Sequence, residues 1–134
     1  MKQEDKELLL KDLSARLPYG VMLSVDDVAE KYNNKLFSVS FSNENSLYIN
    51  GICVDNNGND CYATIKPYLF PLSSMTEEQK EKYCLFQDKI IYNGIRVVNE
   101  DIMEYLNWCY KNHLDINSLI SRGLAIDATG LGIY

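Results

Sequence analysis

Few residues of this chain are of a type and spacing that could do chemistry. His113 is its one histidine, and Asp115 stands two positions on. A carboxylate near an imidazole can orient it for base catalysis. No serine or cysteine nucleophile is tied to this pair by spacing. A metal site on one histidine would need carboxylates from elsewhere, so no metal site is expected. The competing reading of His113 is structural. It falls in or just after the last turn of a helix, where the helix dipole favours a positive imidazole. Three arginines, Arg16, Arg96 and Arg122, could instead line a pocket for an anionic small molecule together with tyrosines, of which the chain has ten. Tyrosine suits half-buried strands and contact surfaces equally. The run Asp55-Asn56-Asn57-Gly58-Asn59-Asp60 resembles a calcium loop only faintly, because its glycine falls at the fourth position rather than the sixth. It reads better as a turn. No phosphate loop or dinucleotide fingerprint is present, so no cofactor is implied.

The four cysteines, Cys53, Cys61, Cys84 and Cys109, are separated by 8, 23 and 25 positions with no C-x-x-C. This is not a metal pattern. The net charge of −6 argues against a nucleic-acid backbone or an anionic membrane as partner, since both demand clustered Lys and Arg. No segment reaches the roughly 18 apolar residues of a membrane span. The start, Met1-Lys2-Gln3-Glu4-Asp5-Lys6-Glu7, is too charged for a secretory signal. The chain is therefore expected to be cytoplasmic, with all four thiols reduced.

The elements that must position these residues form one domain over 1–134. Residues 4–17 predict an amphipathic helix with Leu9, Leu10, Leu13 and Leu17 on its apolar face, stopped by Pro18. Val21 to Val25 suits a short buried strand, and 26–34 a loop or helical turn. Lys35 to Ser42 alternates, with Phe37, Val39 and Phe41 on one face. Two strands, 47–54 and 61–66, flank Asn57-Gly58, a dipeptide favoured by two-residue hairpin turns. That register pairs Val54 with Cys61 and puts Cys53 and Cys61 on opposite faces. Pro67 and Pro71 should take the chain out of the sheet. Thr76-Glu77-Glu78-Gln79 is a capping box opening a helix over about 77–87. A second hairpin around Asn93-Gly94 is suggested within 88–98. Asn99-Glu100-Asp101 caps a helix reaching about Asn112, with Trp108 expected in the core. Asp115 or Asn117 starts a short turn ended by Gly123, and Leu124 to Ala128 reads as a closing strand. The fold expected is α+β. A curved antiparallel sheet, a β-meander of four to six strands, carries the N-terminal helix and two later helices packed on it.

Three blocks resemble one family. They are Leu8-Leu9-Leu10-Lys11-Asp12-Leu13-Ser14-Ala15-Arg16-Leu17-Pro18-Tyr19-Gly20-Val21, the block Lys66-Pro67-Tyr68-Leu69-Phe70-Pro71 through Glu78, and the block Leu106-Asn107-Trp108 through Ala128. Together they are similar to short proteins of gut Bacteroidetes, their prophages and mobile elements, a family with no activity to carry over. Where such proteins tend to carry Tyr-Arg-Gly after the aspartate, this chain has Ile116-Asn117-Ser118. The resemblance implies a phage or mobile-element accessory factor. The leading expectation is a small non-enzymatic protein that binds another protein, with Arg16, Tyr19, Tyr68, Arg96, His113 and Asp115 as candidate ligand- or partner-binding residues. The alternative is a binder of a nucleotide-type small molecule, and the third reading is an enzyme using His113 and Asp115. An exposed sheet edge would allow a homodimer.

Overall fold

Leu9 and Leu13 fall one helical turn apart, and their burial drives the first element. In the computed structural model, which describes residues 2–27, 30–54, 63–92 and 99–134, helix α1 spans Gln3–Arg16. Its buried stripe is Lys6, Leu9, Asp12, Leu13 and Arg16. Three charged residues therefore share the inner face with two leucines. Leu17 leaves the stripe because Pro18 tightens the chain into a 3-10 turn over Leu17–Tyr19, which Gly20 ends at φ 68°.

The strands form two sheets. The larger takes β1 (Met22–Asp26), β2 (Lys31–Lys35), β6 (Thr64–Leu69) and β7 (Ile126–Asp127) in the order β2-β1-β6-β7. The smaller is a meander of β3 (Val39–Phe41), β4 (Leu47–Ile49) and β5 (Ile52–Cys53). Pairing is antiparallel except for β7, which lies parallel to β6. Two later helices, α2 (Glu77–Tyr92) and α3 (Asn99–Lys111), complete an α+β fold. Leu9, Leu13, Leu23, Val25, Leu47, Ile49, Ile65 and Leu69 belong to one buried cluster, so α1 and both sheets share a core. Among the described residues, no helix is long and apolar enough to cross a membrane.

Several expectations change. The 26–34 stretch is not a loop or helical turn throughout, because β2 begins at Lys31. Its sequence Lys-Tyr-Asn-Asn-Lys lacks apolar alternation, and its pairing with β1, Met22↔Lys35 to Asp26↔Lys31, supplies the order instead. Phe37 does not share an inner face with Val39 and Phe41; it is 66% exposed. The chain bends between β2 and β3. Asn50 holds the bend: its Oδ1 accepts from the Phe37 and Ser38 amides at 2.7 and 3.2 Å, and its Nδ2 donates to the Lys35 carbonyl at 2.9 Å.

The 47–54 strand is not continuous. It folds back at Asn50-Gly51, where φ is 52° and 77°, pairing Ile49 with Ile52 and Tyr48 with Cys53. Two successive positive φ values are what a type I′ hairpin requires, and Asn-Gly supplies them at least cost. The expected turn at Asn57-Gly58 and its Val54–Cys61 pair lie outside the described residues. Cys53 is disulfide-bonded, whereas Cys84 and Cys109 are free, so the expectation of four reduced thiols is overturned. Pro67 sits inside β6 opposite Leu23 rather than ending it. Parallel pairing to β7 starts only at Tyr68, so no rung with β7 is asked of the proline. Residues 88–92 are helical, which removes the first strand of the hairpin suggested around Asn93-Gly94; residues 93–98 lie outside the described set.

Candidate functional site

Arg16 is the hub where the expected residues meet. It is the last residue of α1 and fully buried. Its Nε donates to Asp12 Oδ2 at 2.7 Å and its Nη2 to Asp12 Oδ1 at 3.1 Å, a bidentate pair one helical turn apart. Nη2 also donates to the Leu114 carbonyl at 2.7 Å. The Tyr110 ring lies 4.8 Å from the guanidinium carbon, within cation–π range. Asn117 Nδ2 donates to Asp12 Oδ1 at 2.8 Å, so the carboxylate is shared between α1 and the segment after α3. Among the described residues, Arg16 Nη1 and His113 Nδ1 are the buried side-chain nitrogens left without a hydrogen-bond partner. The cation is thus committed to internal structure. Arg122, for its part, is drawn to Glu4 and Asp5 at 3.4 Å on the surface. Arg96 lies outside the described residues.

His113 ends α3. Its φ is 58°, its amide donates to the Tyr110 carbonyl at 3.0 Å, and the next amide, Leu114, donates to Cys109 at 3.0 Å. This is the Schellman arrangement, with histidine in the left-handed position that glycine usually fills. Gly123 closes the 115–123 turn in the same way: Gly123 donates to Ile120, Leu124 to Leu119, and φ is 74°. The His113 ring stacks on Tyr134 with centroids 3.8 Å apart and planes 11° from parallel. Burial, then the nearby Arg16 charge, push the imidazole down to about 4. It is neutral at pH 7, against the positive imidazole expected from the helix dipole, because burial and a fixed cation outweigh the last carbonyls of α3.

Asp115 does not orient His113. Its Oδ1 accepts from the Leu119 amide at 2.7 Å and its Oδ2 from the Ile120 amide at 3.0 Å. The carboxylate is spent on capping the turn. The backbone of 113–115 docks beside β6: Phe70 N–H donates to the His113 carbonyl and Asp115 N–H to the Phe70 carbonyl, both at 2.8 Å.

Tyr68 joins the group through Tyr134. The Tyr134 hydroxyl donates to the Tyr68 carbonyl at 2.7 Å and accepts from the Met22 amide at 2.9 Å. Burial pushes this phenol up to about 12, against the pull of the Met22 amide and of Arg16. The Tyr68 hydroxyl itself donates to Asn33 Oδ1 on β2 at 2.8 Å. Tyr19 stays apart, half-buried in the 3-10 turn, and its side chain makes no hydrogen bond or ring contact to another described residue. Of the six expected residues, then, Arg16, Tyr68, His113 and Asp115 gather at one end of the larger sheet.

A second feature lies on α2 and α3. The capping box forms as expected, Gln79 N–H to Thr76 Oγ1 at 3.1 Å and Thr76 N–H to Gln79 Oε1 at 3.0 Å. The helices meet through aromatic rings: Phe86 lies 5.7 Å from both Tyr105 and Trp108, and Tyr83 lies 5.9 Å from Tyr105. Burial of Tyr105, reinforced by Tyr83, pushes its phenol far up. Trp108 is half-buried rather than inner core, since its other side opens on a groove of about 600 Å³ lined also by Thr76, Gln79, Lys82, Leu85 and Asn112. Leu85 lines a second groove of about 260 Å³ with Phe86 and Lys89. Leu85 and Met103 are each 61% exposed.

Asp12, Tyr134 and Leu85 were not singled out from sequence, and Tyr110 was read only as a core aromatic of α3, which its burial bears out. Asp12 and Arg16 carried a signal in their i, i+4 spacing, but such pairs usually lie on solvated faces. Tyr134 carried none, because its partners are backbone groups far away in sequence.

No family model, no curated protein and no solved structure matches this chain.

Proposed function

We propose that this chain is a small interaction protein that binds another protein through the outer face of α2 and α3, and that it serves a phage or mobile element as an accessory factor. The observation that carries the binding reading is the exposed Leu85, which lines both the Trp108 groove and the groove beside Phe86, with a second exposed apolar residue, Met103, on α3. Apolar side chains this exposed cost free energy in water, roughly 25 cal/mol per Å² of apolar surface, unless a partner covers them. A groove between two helices, with an aromatic floor and a charged rim of Glu78, Glu81 and Lys82, suits an amphipathic helix laid into it. The accessory role rests on the sequence resemblance alone. Edge-to-edge pairing through β2 is discouraged by Lys31 and Lys35 on that exposed strand.

The test compares Leu85→Asp and Met103→Asp with Leu131→Asp, which alters an exposed apolar residue elsewhere. Tagged protein is used to capture partners from cells carrying the element. Loss of the same partner with both helix variants, and its retention with Leu131→Asp, supports the reading. Capture that survives both helix variants sinks it.

A further inference from the structure

We propose that the slot between His113 and Phe70 is a binding site for a para-substituted phenol, with Tyr134 as its resident occupant. The register of β1 and β6 is the starting point. Antiparallel pairing runs from Asp26↔Thr64 to Leu23↔Pro67. The next rung would set Met22 opposite Tyr68. That rung is not closed directly. The Met22 N–H and the Tyr68 carbonyl both turn to the Tyr134 hydroxyl, at 2.9 and 2.7 Å. A phenolic oxygen is donor and acceptor at once, so one atom satisfies both strand groups.

The ring is recognised as well as the hydroxyl. One face lies flat against the imidazole of His113 at 3.8 Å, and the Phe70 ring is tilted against it at 5.7 Å. A neutral imidazole permits this stack without a desolvated charge beside Arg16. An unsubstituted ring would keep the stack but leave an amide and a carbonyl unpaired, which costs more than the hydrogen bonds gain. The specificity is therefore for a phenol over a plain arene.

The resident is lightly tethered. Gly130 and Gly132 have φ of 74° and 65°, and a Cβ at either would meet nothing within 4 Å. Leu131 is 52% exposed. Among the described residues, the hydrogen bonds made by residues 130–134 are Leu131 N–H to the Ala128 carbonyl and the two at the Tyr134 hydroxyl. Tyr134 itself is 46% exposed, so the slot is open to solvent along one side. A ring held by such a strap can leave without unfolding the sheet, and a second phenol can then enter. The site does not involve the α2–α3 groove, and its test is independent of that reading.

The experiment uses the full chain with Tyr134→Ala, and 4-methylphenol, N-acetyl-tyrosinamide and toluene as probes. Met22 is followed by its amide resonance and stability by Tm. The variant should melt below the natural chain. At about ten times its Kd, 4-methylphenol should raise the variant's Tm by roughly 3–5 °C and shift the Met22 amide, whereas toluene should do neither. Tyr134→Phe, whose ring fills the slot, should not respond. N-acetyl-tyrosinamide acting as well as 4-methylphenol would identify a tyrosine side chain as the natural visitor; response to 4-methylphenol alone would identify a free small phenol. A Tyr134→Ala chain indifferent to both phenols, or equally stabilised by toluene, overturns the proposal. Should that variant fail to fold, refolding from denaturant with 4-methylphenol decides: recovery supports the site, and no recovery overturns it.

Discussion

At the scale of the residue, Arg16 is the point on which the interior turns. A guanidinium taken fully out of water loses several kcal/mol of hydration, which only close partners can offset. Asp12 offers two oxygens, Leu114 a carbonyl and Tyr110 a ring face. The bidentate fork is a geometry that lysine cannot copy. Removing one partner leaves the other charged and buried. Asp12→Ala should therefore destabilise the chain by about 3–5 kcal/mol, a large part of a typical total of about 5–15 kcal/mol. Replacing both, Asp12→Leu with Arg16→Met, should cost less than either single change, because no buried charge remains. It should not be neutral, since the Leu114 carbonyl and the Asn117 amide lose their partners. Urea denaturation of Asp12→Ala, Asp12→Leu, Arg16→Met and the double variant checks this. A double variant as unstable as the sum of the singles would show that the pair contributes no coupling.

At the scale of the element, the hairpin at Asn50-Gly51 shows what local sequence can and cannot say. The chain offers Asn-Gly at 50–51, at 57–58 and at 93–94. The turn chemistry of the dipeptide is local, but where a turn is anchored in the fold needs long-range information. Here Asn50 receives it from the Phe37 and Ser38 amides, thirteen and twelve residues upstream. Gly51 holds φ at 77°, where a side chain is strained although space is free. Gly51→Ala should thus cost about 1–2 kcal/mol through backbone strain alone, measured as a shift of the denaturation midpoint with unchanged slope. An unaffected midpoint would mean that β4 and β5 do not turn there. Elements governed by local rules were legible for the same physical reason. Pro18 stops α1, Thr76 and Gln79 cap α2, and Gly123 closes its turn, each through atoms within a few residues of one another. The polar strand β2 was not legible, since its order comes from pairing with β1 and not from its own pattern.

At the scale of the whole molecule, the segment after α3 ties distant parts together. It meets α1 through Arg16 and Asn117, β6 through Phe70 and Leu69, and β1 through Met22. This gathering explains why the candidate residues were half legible. The residue types at Arg16, His113 and Asp115 drew notice, but their partners are backbone carbonyls and amides that no side-chain pattern announces. The closing strand joins the larger sheet, yet not through the side chains expected to matter. Leu124 and Ile126 are half-buried, and Ala125 and Ala128 are the buried members. The strand contributes chiefly through its backbone, with Tyr68↔Ile126 and Leu69↔Asp127 in register and Ala128 N–H bonded to the Leu69 carbonyl at 2.8 Å. Without it, β6 loses its outer neighbour and presents an apolar, unpaired edge, with Leu69 fully buried in the intact chain. Deleting residues 123–134 should therefore abolish cooperative melting and leave the protein insoluble or molten. Deleting only 131–134 removes the Tyr134 strap and keeps β7, so that chain should still melt cooperatively, at a lower temperature. Circular dichroism melts of the two truncations distinguish the roles. A 1–122 chain that melts cooperatively at the full-length temperature would show that β7 is dispensable and that the sheet is complete at β6.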